Sequence, residues 1–222
     1  MKRLVSLILI TSVLFLTSCS RGARCRKDTL KAMTDIFGVT EVTEEEFRDS
    51  GVDIAVFGRE MDGQYLTFDF TDREDSEVEA NTRGGRKDLD TLIFYSVYFT
   101  DARQYEEGTY GHLGIVAEDY GTVQGAANAF LKFDPALGNG GIVEASDGRI
   151  IYEDENDKYR VQAIRDNDLS LTTCTIYHLE GDTLLQITFT YSTDLDSESG
   201  SRVIALLDEL GIDHPAFADI VH

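Results

Sequence analysis

The chain has 222 residues and sets 41 Asp and Glu against 20 Lys and Arg, a formal net charge of −21. With 42% hydrophobic residues it can bury a substantial core, which excludes a disordered polyelectrolyte. So acidic a chain, without a sizeable basic patch on its body, is a poor partner for nucleic acid.

The first residues, Met1-Lys2-Arg3, are basic, and a largely apolar run follows from Leu4 to Leu16. A spanning helix needs about 20 apolar residues, so this run reads as the core of an export signal rather than an anchor helix. It ends in Leu16-Thr17-Ser18-Cys19, which resembles the lipobox of bacterial lipoproteins. The resemblance implies that residues 1–18 are a signal peptide removed on export. It also implies that Cys19 becomes the lipidated first residue, carrying a diacylglyceryl group on sulfur and usually an acyl chain, such as palmitate, on nitrogen. Two chains give stable membrane anchoring. Ser20 after the cysteine resembles cargo sorted to the outer membrane in diderm bacteria; in a cell with one membrane the protein would stay on its outer leaflet.

Residues 19–27 then read as a short basic tether, with Arg21, Arg24, Arg26 and Lys27 beside the lipid. Basic residues there favour anionic headgroups, whereas the acidic body, residues 28–222, is expected to stand away from the bilayer. No proline- or serine-rich linker divides the body, so a single domain is expected. Besides Cys19 there are two cysteines, Cys25 and Cys174. In an oxidising compartment they admit either a disulfide or two separate thiols.

A helix is expected from Asp28, burying Leu30, Met33 and Phe37 and ending at Gly38, followed by a short acidic helix or turn over Thr43–Arg48. Asp53–Gly58 and Gln64–Thr71 read as strands, the second alternating Leu66, Phe68 and Phe70 with polar residues, and Met61-Asp62-Gly63 reads as the hairpin bend between them. Thr71–Asp90 is a long charged loop. Its Arg83-Gly84-Gly85-Arg86-Lys87 lacks the Gly-Lys-Ser/Thr ending of a phosphate-binding loop, so it carries no nucleotide site. Leu92–Phe99, apolar on both alternating sets, reads as a central strand, and Leu113–Ala117 as another. Thr122 caps a helix carrying Val123, Ala126, Ala127 and Phe130, which ends before Asp134-Pro135. Strands are expected at Arg149–Tyr152, Tyr159–Ile164, Leu169–Leu179 and Thr183–Tyr191, the last two joined by the turn Glu180-Gly181-Asp182. A final helix, Ser199–Leu210, presents Val203, Leu206, Leu207 and Leu210 and is closed by Gly211.

This order predicts an α+β fold: a mainly antiparallel sheet covered by about three helices, sandwich-like. The closing hairpin and helix, Leu169–Leu179, Thr183–Tyr191 and Ser199–Leu210, resemble the end of PsbP/Mog1-type sandwiches, which implies the fold alone.

No catalytic constellation is assembled in the sequence. There is no Gly-x-Ser-x-Gly, and His112, His178, His214 and His222 occur singly, outside any His-Glu-x-x-His pattern. Cys174 and His178 share one face of a strand but sit about 13 Å apart, too far for a dyad. His112, in Tyr110-Gly111-His112-Leu113-Gly114, would serve a hydrolase only if a cleft joined it to a nucleophile. Asp194-Leu195-Asp196-Ser197-Glu198 begins like an EF-hand loop but has Ser199 and Ala205 where glycine and glutamate are needed. No metal or cofactor site is therefore expected. Tyr95, Tyr98, Phe99, Tyr105 and Tyr110 form either a ligand groove or, more ordinarily, part of the core. The leading expectation is a non-enzymatic envelope lipoprotein, anchored at Cys19, that binds a protein partner or serves as an accessory subunit. The alternative is a small-molecule or cation-binding domain using Thr71–Asp90 and Tyr95–Tyr110.

Overall fold

The structure is a computed structural model and describes residues 21–51, 61–71, 89–103, 110–132, 141–144, 150–155, 157–166, 171–192 and 198–212. In chain order these form α1 (residues 21–37), β1 (Thr40–Val42), α2 (Glu44–Ser50), β2 (Gln64–Asp69), β3 (Thr91–Arg103) and β4 (Tyr110–Asp119). There follow α3 (Val123–Phe130), β5 (Gly141–Glu144), β6 (Ile150–Glu155), β7 (Tyr159–Asp166), β8 (Leu171–Glu180), β9 (Thr183–Ser192) and α4 (Glu198–Leu210). The nine strands make one sheet, ordered β1-β2-β3-β4-β9-β8-β7-β6-β5. Every neighbouring pair is antiparallel except β1 with β2.

The α+β class and the mainly antiparallel sheet agree with the sequence reading. The details differ: four helices are present among the described residues rather than about three, and the strands form a single wide sheet. Alternation sorts the strand residues onto two faces. On the first, register aligns Val97, Leu113, Phe189, Cys174 and Ala163 in one row and Tyr95, Ile115, Ile187, Ile176 and Val161 in the next. Ala32 and Met33 of α1 and Val203, Leu206 and Leu207 of α4 complete this core. On the second face, Leu66, Phe68, Leu92 and Leu184 pack with Phe47 of α2 and Ala126, Ala129 and Phe130 of α3. Strands buried on both faces explain why Leu92–Phe99 has no polar alternate set.

Local signals placed several elements. Thr43 caps α2 in a reciprocal capping box with Glu46, and Gly51 closes it at φ 70°. Thr122 caps α3 through the Gly125 amide. Met61-Asp62-Gly63 still bends before β2, but the flanking partners are β1 and β3: Thr40 N–H donates to the Gly63 carbonyl, and Gly63 N–H to the Ser96 carbonyl. The expected strand Asp53–Gly58 lies outside the described residues. The strands β1 and β5 were not expected.

The main correction concerns the start of the first helix. Helix α1 does not begin at Asp28; residues 21–27 are already helical. Gly22, Cys25, Thr29, Ala32, Met33 and Ile36 recur at helical spacing along its inner side, with Gly22, Thr29, Ala32 and Met33 buried. Gly22 suits this close approach: a Cβ there would overlap the Asp182 carboxylate and lie 2.7 Å from Thr183 Oγ1. One turn later Arg26 reaches the same turn of the sheet.

Candidate functional site

Two places on the molecule gather polar chemistry. The first is where α1 meets the ends of β4 and β9. Arg26 Nη2 lies 2.8 Å from Asp119 Oδ2, and Nη1 lies 3.6 Å from Asp182 Oδ1 while donating to Thr183 Oγ1 at 2.6 Å. These side chains are largely removed from solvent, at 21%, 14% and 7% exposure for Arg26, Asp119 and Asp182. Burial raises the Asp119 carboxyl above its ordinary range; the Gly121 amide and the Arg26 charge pull it down, and Asp182 and Asp90 push it up. The carboxylates are therefore held around a guanidinium, a structural clamp rather than a vacant cation site. Among the described residues no three His, Cys, Asp or Glu side chains are grouped to hold a metal ion.

The second place is the far half of the second sheet face. Moving along the strands from the α3 end, the cross-strand rows change from Leu92, Glu118, Leu184 and Leu179, to Phe94, Val116, Gln186 and Tyr177. Next come Ser96, Gly114, Thr188 and Thr175, and finally Tyr98 beside His112. The row of hydroxyls continues with Thr173 and Thr190, whose oxygens are 3.1 Å apart. His112 Nε2 is 3.0 Å from Ser96 Oγ, and its ring centroid lies 4.8 Å from that of Tyr98. The imidazole folds back over Gly114, where a Cβ would come within 2.9 Å of its Cε1. Burial lowers the pKa of His112, opposed by the charge of Asp62, so the ring is neutral at pH 7.

A serine hydroxyl and an imidazole nitrogen at this distance are the first two members of a nucleophile–base pair. Ser96 is nevertheless fully buried. It lies within β3, with register partners Gln64 on one side and Gly114 on the other. A substrate carbonyl has no approach to a fully buried hydroxyl, and strand amides engaged in a ladder offer no oxyanion pocket. The arrangement fixes the histidine and leaves a neutral imidazole among threonines, suited to hydrogen bonding.

The remaining sequence candidates are distributed. Cys19 lies outside the described residues, as do His214, His222, Asp194–Ser197, Tyr105 and the loop segment 72–88. Cys25 and Cys174 are both free thiols, the first half-buried on the inner side of α1 and the second fully buried at the centre of the first face. Burial pushes the Cys25 thiol up to about 12, and it raises that of Cys174 as well. His178 shares the first face with Cys174, four residues further along β8, and burial lowers its pKa. The aromatic cluster does not form one groove: Tyr95 and Phe99 are core residues of the first face, whereas Tyr98 stands on the second beside His112. Sequence reasoning missed Glu118, a buried carboxylate that accepts a 2.6 Å hydrogen bond from the Tyr120 hydroxyl, and the Ser96–His112 contact. Strand parity was the available signal for Glu118 and Tyr120, whereas the Ser96–His112 contact depends on the β3–β4 register.

Among the described residues no helix is long and apolar enough to cross a membrane. No protein-family model matches the chain, and no curated protein matches it significantly.

Proposed function

We propose that the protein is a membrane-anchored envelope lipoprotein of non-enzymatic type, held by a lipid on Cys19 and serving as a binding or accessory subunit for a protein partner. The observation that carries this reading is the run Leu16-Thr17-Ser18-Cys19 behind a basic and apolar leader. The burial of Ser96 adds to it, since the Ser96–His112 contact is out of a substrate's reach. The test is crosslinking of the native protein in intact cells, with Cys19→Ala as control and the lipid on Cys19 read by mass. A stoichiometric partner lost with the anchor supports the reading. A lipid-free Cys19 refutes the anchor, and a lipidated protein without a partner refutes the accessory role.

A second reading, binding of a small polar ligand, draws on the row Ser96, Gly114, Thr188 and Thr175 beside His112. Saturable thermal stabilisation by one compound, abolished by His112→Ala, would favour it.

A further inference from the structure

We infer that α1 leaves no free tether: the Cys19 lipid holds the Asp119 and Asp182 end of the sheet against the lipid headgroups and so fixes the orientation of the body on its membrane. The inference rests on the lipoprotein reading and adds an orientation to it.

Three peptide links separate Cys19 from Gly22. Consecutive Cα atoms are about 3.8 Å apart, so whatever path the chain takes, the Cys19 Cα lies within about 11 Å of the Gly22 Cα. Gly22 is itself in direct contact with Asp182 and Thr183, and Arg26 locks the next turn to Asp119, Asp182 and Thr183. A lipid on Cys19 therefore draws the β8–β9 turn to the bilayer surface.

From that point α1 runs away along the sheet. Fifteen residues at about 1.5 Å each carry it about 22 Å from Gly22 to Phe37, whose ring lies 6.1 Å from that of Phe99 near the opposite end of β3. The molecule thus has a membrane end and a far end.

Charge suits the membrane end to the bilayer. Arg21, Arg24 and Lys27 are exposed on the first two turns of α1, next to the anchor. Four carboxylates at this end have cationic partners: Asp119 and Asp182 with Arg26, Asp28 with Arg24, and Glu180 with Lys158. The repulsion expected of an acidic body is thereby reduced at this end, and Arg21 and Lys27 are left for anionic headgroups.

The experiment uses the native lipidated protein in phosphatidylcholine vesicles containing phosphatidylglycerol and nitroxide-headgroup lipid. A fluorophore is placed at Lys158→Cys, beside Glu180 at the membrane end, or at Asp35→Cys, an exposed position about 20 Å along α1 from Gly22. The unsubstituted chain, its native thiols shielded, serves as the labelling blank. Quenching should be at least about threefold stronger at position 158, because the far site lies beyond contact range of the headgroups. Insertion of ten Gly and Ser residues after Ser20 should abolish the difference. Equal quenching at the two sites, with the Cys19 lipid verified by mass, would overturn the inference while leaving the lipoprotein reading intact. Persistence of the asymmetry in the insertion variant would also overturn it. A chain lacking the lipid mass would overturn both.

Discussion

Arg26→Ala tests whether the first turns of α1 belong to the folded body. The substitution removes the guanidinium that lies 2.8 Å from Asp119 and 3.6 Å from Asp182, leaving two carboxylates only 14% and 7% exposed. Breaking a buried pair from one side costs about 3–5 kcal/mol, and because Arg26 itself is 21% exposed, the lower end, about 3 kcal/mol, applies. For a domain of this size that corresponds to a Tm lower by about 6–12 °C. The assay is urea and thermal unfolding of the lipid-free chain beginning at Ser20. The pH dependence supplies an internal check. Burial already places the folded Asp119 carboxyl above its unfolded value, so its contribution to stability is greatest below that unfolded value and is lost as pH rises through the folded one. Without Arg26 the folded value climbs further. The deficit of the variant should therefore be largest at pH 7.5 and shrink toward pH 4, and Asp119→Asn added to Arg26→Ala should recover part of it at neutral pH. A loss below about 1 kcal/mol at pH 7.5, or one constant between pH 4 and pH 8, would refute the clamp.

Four further outcomes are expected. Gly22→Ala would stabilise an isolated helix by about 1 kcal/mol, but its Cβ would overlap the buried Asp182 carboxylate and displace it from Arg26, so urea unfolding should show a net loss of about 1–3 kcal/mol. Tyr95→Phe removes a buried hydroxyl that has no hydrogen-bond partner among the described residues and should leave stability unchanged or raise it by up to about 1 kcal/mol, whereas a loss above about 1 kcal/mol would reveal a partner for it. In the native lipid-free chain with Cys19→Ala, Cys25 should react with a thiol reagent at pH 8 about a thousandfold more slowly than an exposed cysteine, and denaturation without reductant should release two thiols; none would mean a bridge. His112 should titrate by NMR below its ordinary 6.5, its contribution to stability being present above the unfolded value and lost as pH falls through the folded one; a midpoint above 6.5 would refute its burial.

What the sequence disclosed depended on how local the determining physics was. Thr122 and the apolar residues of Val123–Phe130 contain both the cap and the period of α3, so that helix was legible almost to the residue. The start of α1 was not, because its inner side opens with Gly22, Cys25 and Thr29, small residues that give no apolar signal until the sheet they pack against is known. Arg26 likewise reads as part of a basic linker until Asp119 and Asp182 are brought beside it from the ends of two strands. Ser96 and His112 meet only because the β3–β4 register sets Tyr98 against His112 and Ser96 against Gly114, and single-strand alternation does not fix register. Parity alone would have parted Tyr98 from Tyr95 and Phe99, so the aromatic groove was a reading the sequence itself could have refused.

The two polar places on the molecule are related through the strands that carry them. Along β9, Thr183 accepts from Arg26 at one end, and Thr188 and Thr190 join the hydroxyl rows further on. At about 3.3 Å per residue these rows are displaced by about 17–23 Å from the α1 clamp. Along β4 the same separation runs from Asp119 back to His112. An anchor at Cys19 that fixes the clamp end against a bilayer would accordingly present His112 and the threonines at the end turned away from it. The hydrophobic second core lies between, with Phe47, Phe68, Phe130 and Leu184 tying α2 and α3 across the sheet, so the two ends are joined by packed structure rather than by a hinge. A partner or polar ligand engaging the far end would then meet it at a fixed height and orientation. Lengthening the chain after Ser20 would relax that constraint without touching any residue of the His112 surface. Loss of partner crosslinking in the insertion variant, with the Ser96–His112 contact intact, would therefore mean that the anchor acts by positioning the far end; unchanged crosslinking would mean that membrane attachment alone suffices.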